Sequence, residues 1–187
     1  QAPPLRQVTL GGESVPARLV DDLRQAFADA RVSQIYASTE FGSSVAVHDT
    51  ANGLPLSVLE RGDDADVQLK IVDGELHVRS RVGMLGYFGD DAEVDVGWRP
   101  TGDMVEVRDG RIHFVGRSAE IINVGGVKVH PLTIEERAAT VPGVRFAHAR
   151  GRANPVSGQI VVLDVVRDPD ADETEVDDGI RAACEAL

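Results

Sequence analysis

The chain has 187 residues, 42% of them apolar, enough for one packed domain or two small ones. A net charge of −12 argues against nucleic acid or an anionic membrane as partner, since both need a basic face. A single cysteine, Cys184, excludes an intrachain disulfide and suits a reducing, cytoplasmic setting, and no apolar run approaches the about 20 residues of a membrane span.

The first segment reads as α/β. Val8-Thr9-Leu10 is a short buried strand ending at Gly11-Gly12. The opening residues hold no long apolar stretch and no initiator Met, so the chain is expected to begin inside a longer product. Ser14 is expected to cap the next helix, with Pro16 in its first turn. Leu19, Leu23 and Phe27 recur every four residues and predict one apolar stripe. A second strand, Val32 to Tyr36, runs into Thr39-Glu40. Open α/β sheets bind ligands beyond the carboxyl ends of their strands, and both loops occupy such ends.

From about Leu54 the period changes to two. Val67, Leu69 and Ile71 alternate with polar residues, Asp73-Gly74 predicts a tight hairpin, and Leu76 and Val78 continue the alternation. Val105 and Val107, Asp109-Gly110, then Ile112 and Phe114 repeat the device. Successive short strands predict a small β-barrel or curled sheet packed on the first segment. Asp90, Asp91, Glu93 and Asp95 read as a solvated acidic loop.

After Gly116 a third pattern begins. Ile121 to Val129 predicts a hairpin turning at Gly125-Gly126. Pro131 opens a helix to about Thr140, which Pro142-Gly143 ends. Val144 to Arg150 and Gln159 to Val166 are strands, with residues 152–158 as the loop between them. Asp168-Pro169-Asp170 is a linker, and Thr174 with Asp177 suggests a capping box. Val176, Ile180, Ala183, Cys184 and Leu187 share one helical face, which makes Cys184 a small core residue rather than a nucleophile. His48, His77, His113, His130 and His148 show no metal-ligand spacing.

Four motifs stand in order along these elements: Gly11-Gly12-Glu13, Tyr36-Ala37-Ser38-Thr39-Glu40, a Thr101-Gly102-Asp103 turn, and Gly116-Arg117 leading to Gly125-Gly126. Their order and spacing resemble the acyl-adenylate-forming superfamily, and acyl-CoA synthetases most. The resemblance covers essentially the whole chain but only the later part of such an enzyme. It implies an α/β piece plus small β-barrel closing the large adenylating domain (residues 1–116, barrel about 54–116). An incomplete small α+β C-terminal domain (117–187) follows, and it moves in the family.

The resemblance also implies a chemistry. A carboxylic acid and ATP give acyl-AMP, and the acyl group then passes to CoA or to the phosphopantetheine of an acyl carrier protein. Fatty acid metabolism is the expected setting. Gly12, Glu13, Tyr36, Ala37 and Ser38 would line the adenine side, with the Tyr36 ring against the base. Thr39 would donate to a phosphate, and Glu40 would offer a hard carboxylate oxygen to Mg²⁺. Thr39 and Glu40 are thus the candidate catalytic residues. Asp103 would accept both ribose hydroxyls and Arg117 would donate to the same ribose. Gly125 and Gly126 would line the thiol channel, and Lys128 could meet a phosphate of CoA.

Three positions depart from the family pattern: Ala37 replaces a Gly, Ala119 stands at the hinge expected over 117–119, and Asn123 stands where many members carry a Lys. The family's phosphate loop and its terminal catalytic lysine have no match here. The only lysines, Lys70 and Lys128, fall on strands. The isolated chain is therefore expected to be inactive. An alternative is an inactive paralogue that binds nucleotide, a carrier or another partner protein.

Overall fold

The computed structural model describes residues 4–49, 51–86, 88–89 and 97–185. The acidic stretch 90–95 and Leu187 lie outside them. The chain folds as two compact units, residues 1–114 and 115–187.

The first unit opens with a three-stranded sheet. Strand β1 (Gln7–Gly11) runs parallel to β2 (Arg31–Ser38), and β3 (Gly42–Val47) returns antiparallel along the other side of β2. The sequence reading has no strand at β3, because a Gly and two serines hide a short alternation. Val45 and Val47 are nonetheless buried at 2% and 5% exposure. Helix α1 (Ala17–Ala26) joins β1 to β2. Pro16, in extended conformation, is its N-cap, with no side-chain cap bond, so Ser14 does not have the capping role expected of it. The apolar stripe differs from the expected one only at its first position. Leu19 is 42% exposed while Val20 is buried, so the inward line runs Val20, Leu23, Phe27.

A second sheet follows. Its strands are β4 (Leu54–Pro55), β5 (Val67–Val72), β6 (Glu75–Ser80), β7 (Arg99–Arg108) and β8 (Arg111–Arg117), in the order β4-β8-β7-β6-β5. Among the described residues no ladder joins β4 to β5, so the five strands are paired as an open sheet and not as a closed barrel. Both Asp-Gly turns form as expected, with positive φ at Asp73 (50°), Gly74 (79°), Asp109 (51°) and Gly110 (70°). That geometry matches the right-handed twist of the paired strands. Leu76, Val78 and Ile112, all at 0% exposure, share one core with Val45 and Val47 of β3 and with Phe41 in the turn before it. Each such side chain contributes about 1.5–3 kcal/mol by leaving water. The two sheets are therefore one folding unit, packed against each other as the alternation predicts.

The second unit is a four-stranded antiparallel sheet, β10-β9-β12-β11, with two helices. Strands β9 (Ile122–Val124) and β10 (Val127–Val129) form the glycine hairpin. Helix α2 (Pro131–Ala138), with Pro at its start, packs on β11 (Val144–Asn154) and on α3 (Glu173–Cys184). Strand β12 (Gly158–Arg167) completes a long hairpin with β11. Its tip is residues 155–157 only. Residues 152–154 continue the ladder that the sequence reading ends at Arg150, because β pairing overrides their polar composition. The cap of α3 is Asp172, whose Oδ1 accepts from the backbone N–H groups of Thr174 (2.9 Å) and Glu175 (3.0 Å), and not the Thr174–Asp177 box. Cys184 is half-buried, and that burial pushes its thiol pKa up, away from nucleophilic thiolate.

Candidate active site

Parallel pairing of β1 and β2 sets two of the four motifs side by side. Gly11 lies opposite Ile35 in the ladder, so Gly12-Glu13 and Thr39-Glu40 leave the same sheet edge at the carboxyl ends of neighbouring strands. A Cβ at Gly11 would stand 2.9 Å from the Ile35 carbonyl oxygen, so only glycine fits this approach.

Thr39-Glu40 is the turn between β2 and β3. A register shift between Tyr36 and Ala37 bends the strand just before it. Four hydrogen bonds hold the turn. Ser38 Oγ accepts from Phe41 N at 3.2 Å, and Ser80 Oγ donates to Phe41 O at 2.8 Å. The Glu40 carbonyl accepts from Met84 N at 3.0 Å and from Arg99 Nη2 at 3.4 Å.

Thr101-Gly102-Asp103 is not a turn. It is a bulge inside β7, where Pro100 and Met104 pair with His77 and Glu75 and leave extra residues between them. Gly102 adopts φ 80°, a left-handed value that suits glycine. Thr101 Oγ1 donates to Leu76 O (2.8 Å) and accepts from Asp103 N (3.1 Å), while Glu75 Oε1 accepts from Gly102 N (2.8 Å). Bulges re-aim side chains, and here Asp103 meets Tyr36. The Tyr36 hydroxyl donates to Asp103 Oδ2 at 2.7 Å. The Tyr36 ring also stacks on Phe114, centroids 5.1 Å apart and planes at 27°. Two motifs 67 residues apart thus share one hydrogen bond.

Several supporting residues carry no sequence signal. Glu75 and Phe114 are two. Asn52 is a third: its Nδ2 donates to Val15 O at 2.7 Å, just beyond the Gly12-Glu13 loop. Arg111 is a fourth, holding residues 49–53 through a bidentate bond to Asp49 (2.8 and 2.9 Å) and bonds to the carbonyls of Asn52 (2.6 Å) and Ala51 (3.1 Å).

The remaining predicted residues belong to the second unit. Arg117 ends β8 and precedes a short 3-10 turn, Ser118–Glu120, that contains Ala119. Gly125 (φ 60°) and Gly126 (φ 94°) form the tip of the β9–β10 hairpin, and Lys128 is exposed on β10.

No family model matches the chain. Individual relatives do. An isonitrile lipopeptide synthase of Streptomyces coeruleorubidus is 30% identical over 97% of this chain and 14% of its own length. The medium/long-chain fatty acid–acyl-carrier-protein ligase FadD10 of Mycobacterium tuberculosis is 32% identical over 92% of this chain and 36% of its own. The solved structure of the amide bond synthetase McbA from Marinactinospora thermotolerans superposes with a TM-score of 0.76, at 26% identity, over 95% of this chain and 40% of that one. The chain belongs to the acyl-adenylate-forming superfamily. Its fold matches the C-terminal part of adenylate-forming enzymes, and it spans well under half the length of the relatives it matches. Members at comparable identity include CoA ligases as well as carrier-protein ligases. Among the described residues, no helix is long and apolar enough to cross a membrane.

Among the described residues no three His, Cys, Asp or Glu side chains gather into a metal cage. Glu40 on its turn suits a divalent cation held mainly by nucleotide phosphates, since Mg²⁺ commonly takes one or two carboxylates and fills its shell with phosphate and water. Asp103, bonded through Oδ2 to the Tyr36 hydroxyl, is a carboxylate acceptor of the kind that takes a diol's hydroxyls.

Proposed function

We propose that this chain is part of an ATP-dependent ligase that activates a carboxylic acid as acyl-AMP and passes the acyl group to a thiol. The thiol is that of CoA or of a carrier protein's phosphopantetheine. The observation that carries the reading is the Tyr36–Asp103 bond, which joins the adenine-side and ribose-side motifs through one contact.

In the first half-reaction, a carboxylate oxygen attacks the α-phosphorus and pyrophosphate leaves. Asp103 accepts from the ribose hydroxyls, oriented by Tyr36 and by the bulge bonds of Thr101 and Glu75. Tyr36, stacked on Phe114, presents a fixed wall to the base. Gly12, Glu13, Ala37 and Ser38 complete that wall. Thr39 donates to a phosphate oxygen, and Glu40 supplies a ligand to Mg²⁺, which would offset charge on the phosphates. In the second half-reaction, the thiol sulfur displaces AMP from the acyl carbon and loses its proton. Arg117 is assigned to the ribose, Gly125 and Gly126 to the pantetheine arm, and Lys128 to a CoA phosphate. A cytoplasmic setting and a role in fatty acid metabolism accord with the lone cysteine and with the fatty acid ligases among the relatives.

Calorimetry with AMP on the longer ligase tests the carrying contact. Asp103→Ala is expected to weaken binding by about 1.5–3 kcal/mol, the range for a hydrogen bond to a charged group. Equal affinity in the two proteins would remove Asp103 from the nucleotide site.

A further inference from the structure

Asn123 lies on β9 beside the hairpin tip, and the second unit shows what it does there. Its side-chain Oδ1 accepts from the backbone N–H of Gly126 at 2.9 Å, across the tip of the β9–β10 hairpin. Its own N–H donates to Gln159 Oε1 at 2.9 Å. The other glycine is held from outside the hairpin: Gly125 N–H donates to Ser157 O at 2.8 Å. Ser157 is itself fixed. Asn154 Oδ1 accepts from the N–H groups of Val156 (2.9 Å) and Ser157 (3.1 Å), and Ser157 Oγ donates to Gln159 O at 2.7 Å. Both glycine N–H groups at the tip are thus committed. One goes to Asn123 and one to the β11–β12 tip, which pairs with the hairpin through Gly158 and Val124.

We propose that Asn123 is a positioning residue for the thiol half-reaction. It holds the Gly125-Gly126 tip, seated on Ser157, in one preset shape for the pantetheine arm. The inference rests on the thiol-transfer reading above. Two adjacent glycines would otherwise sample many backbone states, and ordering them on binding would weaken capture of the thiol. A lysine at this position would bring charge to the site. Asn123 brings an acceptor that freezes the turn instead.

Two measurements decide it. The first needs no catalysis: amide hydrogen exchange of the 187-residue chain by NMR. Asn123→Ala is expected to speed Gly126 exchange about three- to tenfold, the factor that loss of one neutral hydrogen bond gives, with α2 and α3 unchanged. Asn123→Asp keeps the acceptor and is expected to restore protection. Unchanged Gly126 exchange in Asn123→Ala overturns the latch.

The second uses the longer ligase, with pantetheine as thiol because it lacks the phosphates that an added aspartate would repel. Asn123→Ala is expected to raise the pantetheine KM by about three- to tenfold at an unaltered rate of adenylate formation, with rescue by Asn123→Asp. An unchanged KM alongside faster Gly126 exchange overturns the positioning role. A wild-type ligase that forms adenylate but no thioester sinks the thiol-transfer reading instead, and the exchange result still decides the latch.

Discussion

Arg111 gathers the loop of residues 49–53 around one guanidinium. Its side chain is 17% exposed and bonds Asp49 and backbone carbonyls of residues 51–53, while Asn52 in turn reaches Val15 beside the Gly12-Glu13 loop. Removing the guanidinium leaves several acceptors without it at once, and such losses add to more than one ordinary bond. Arg111→Met keeps the apolar stem and the β8 strand. It is expected to lower unfolding free energy by about 2–3 kcal/mol in urea titration. A cost under about 0.5 kcal/mol, the size of a neutral surface change, would show that water satisfies these carbonyls equally well. Nothing in the sequence around Arg111 announces this role. The partner carbonyls lie about 60 positions away, and carbonyls carry no residue identity.

Elements were legible where local chemistry decides them. Both Asp-Gly hairpins, the glycine hairpin and the Pro131 helix start are set by φ preferences that act within four residues, and all four form. Pairing across distance was less legible. Strand β3 and the last residues of β11 owe their shape to a neighbouring strand, and Thr101-Gly102-Asp103 reads as a turn until β6 is placed opposite it. Caps fall between these cases. The sequence places a helix near residues 173–184 but puts its cap at Thr174, whereas Asp172 accepts two N–H groups at the true start. Asp172→Ala is expected to cost about 1 kcal/mol and lower the melting temperature by a few degrees, whereas Thr174→Ala leaves it unchanged. Equal effects of the two would return the cap to Thr174. For the site, the residue types at both strand ends and at the bulge were readable. The Tyr36–Asp103 bond was not, because it exists only after two sheets share a core.

At the scale of the molecule, charge placement sets a limit on chemistry. Transfer at a phosphate needs positive charge aimed at the oxygens, which is commonly worth several kcal/mol. The two lysines of this chain sit on strands: Lys70 lies over Trp98, 4.6 Å from the ring centroid, and Lys128 is on β10. The chain also spans only 14% and 36% of the relatives' lengths. The 187-residue chain alone is therefore expected to show no ATP–pyrophosphate exchange with carboxylic acids of any length. Carboxylate-dependent exchange by the purified chain would overturn this and mean that another of its own groups supplies the positive charge.

The engagement of Lys70 with Trp98 has a practical side. Its ammonium rests on an aromatic face, with Arg79 within 5.5 Å of the same ring. Lys128 stands exposed two residues beyond the glycine pair. Amine-directed dyes therefore meet two lysine side chains of unequal reach, and the more accessible one marks the hairpin. A fluorophore on Lys128 becomes a local optical reporter of that tip, installed without engineering a single cysteine.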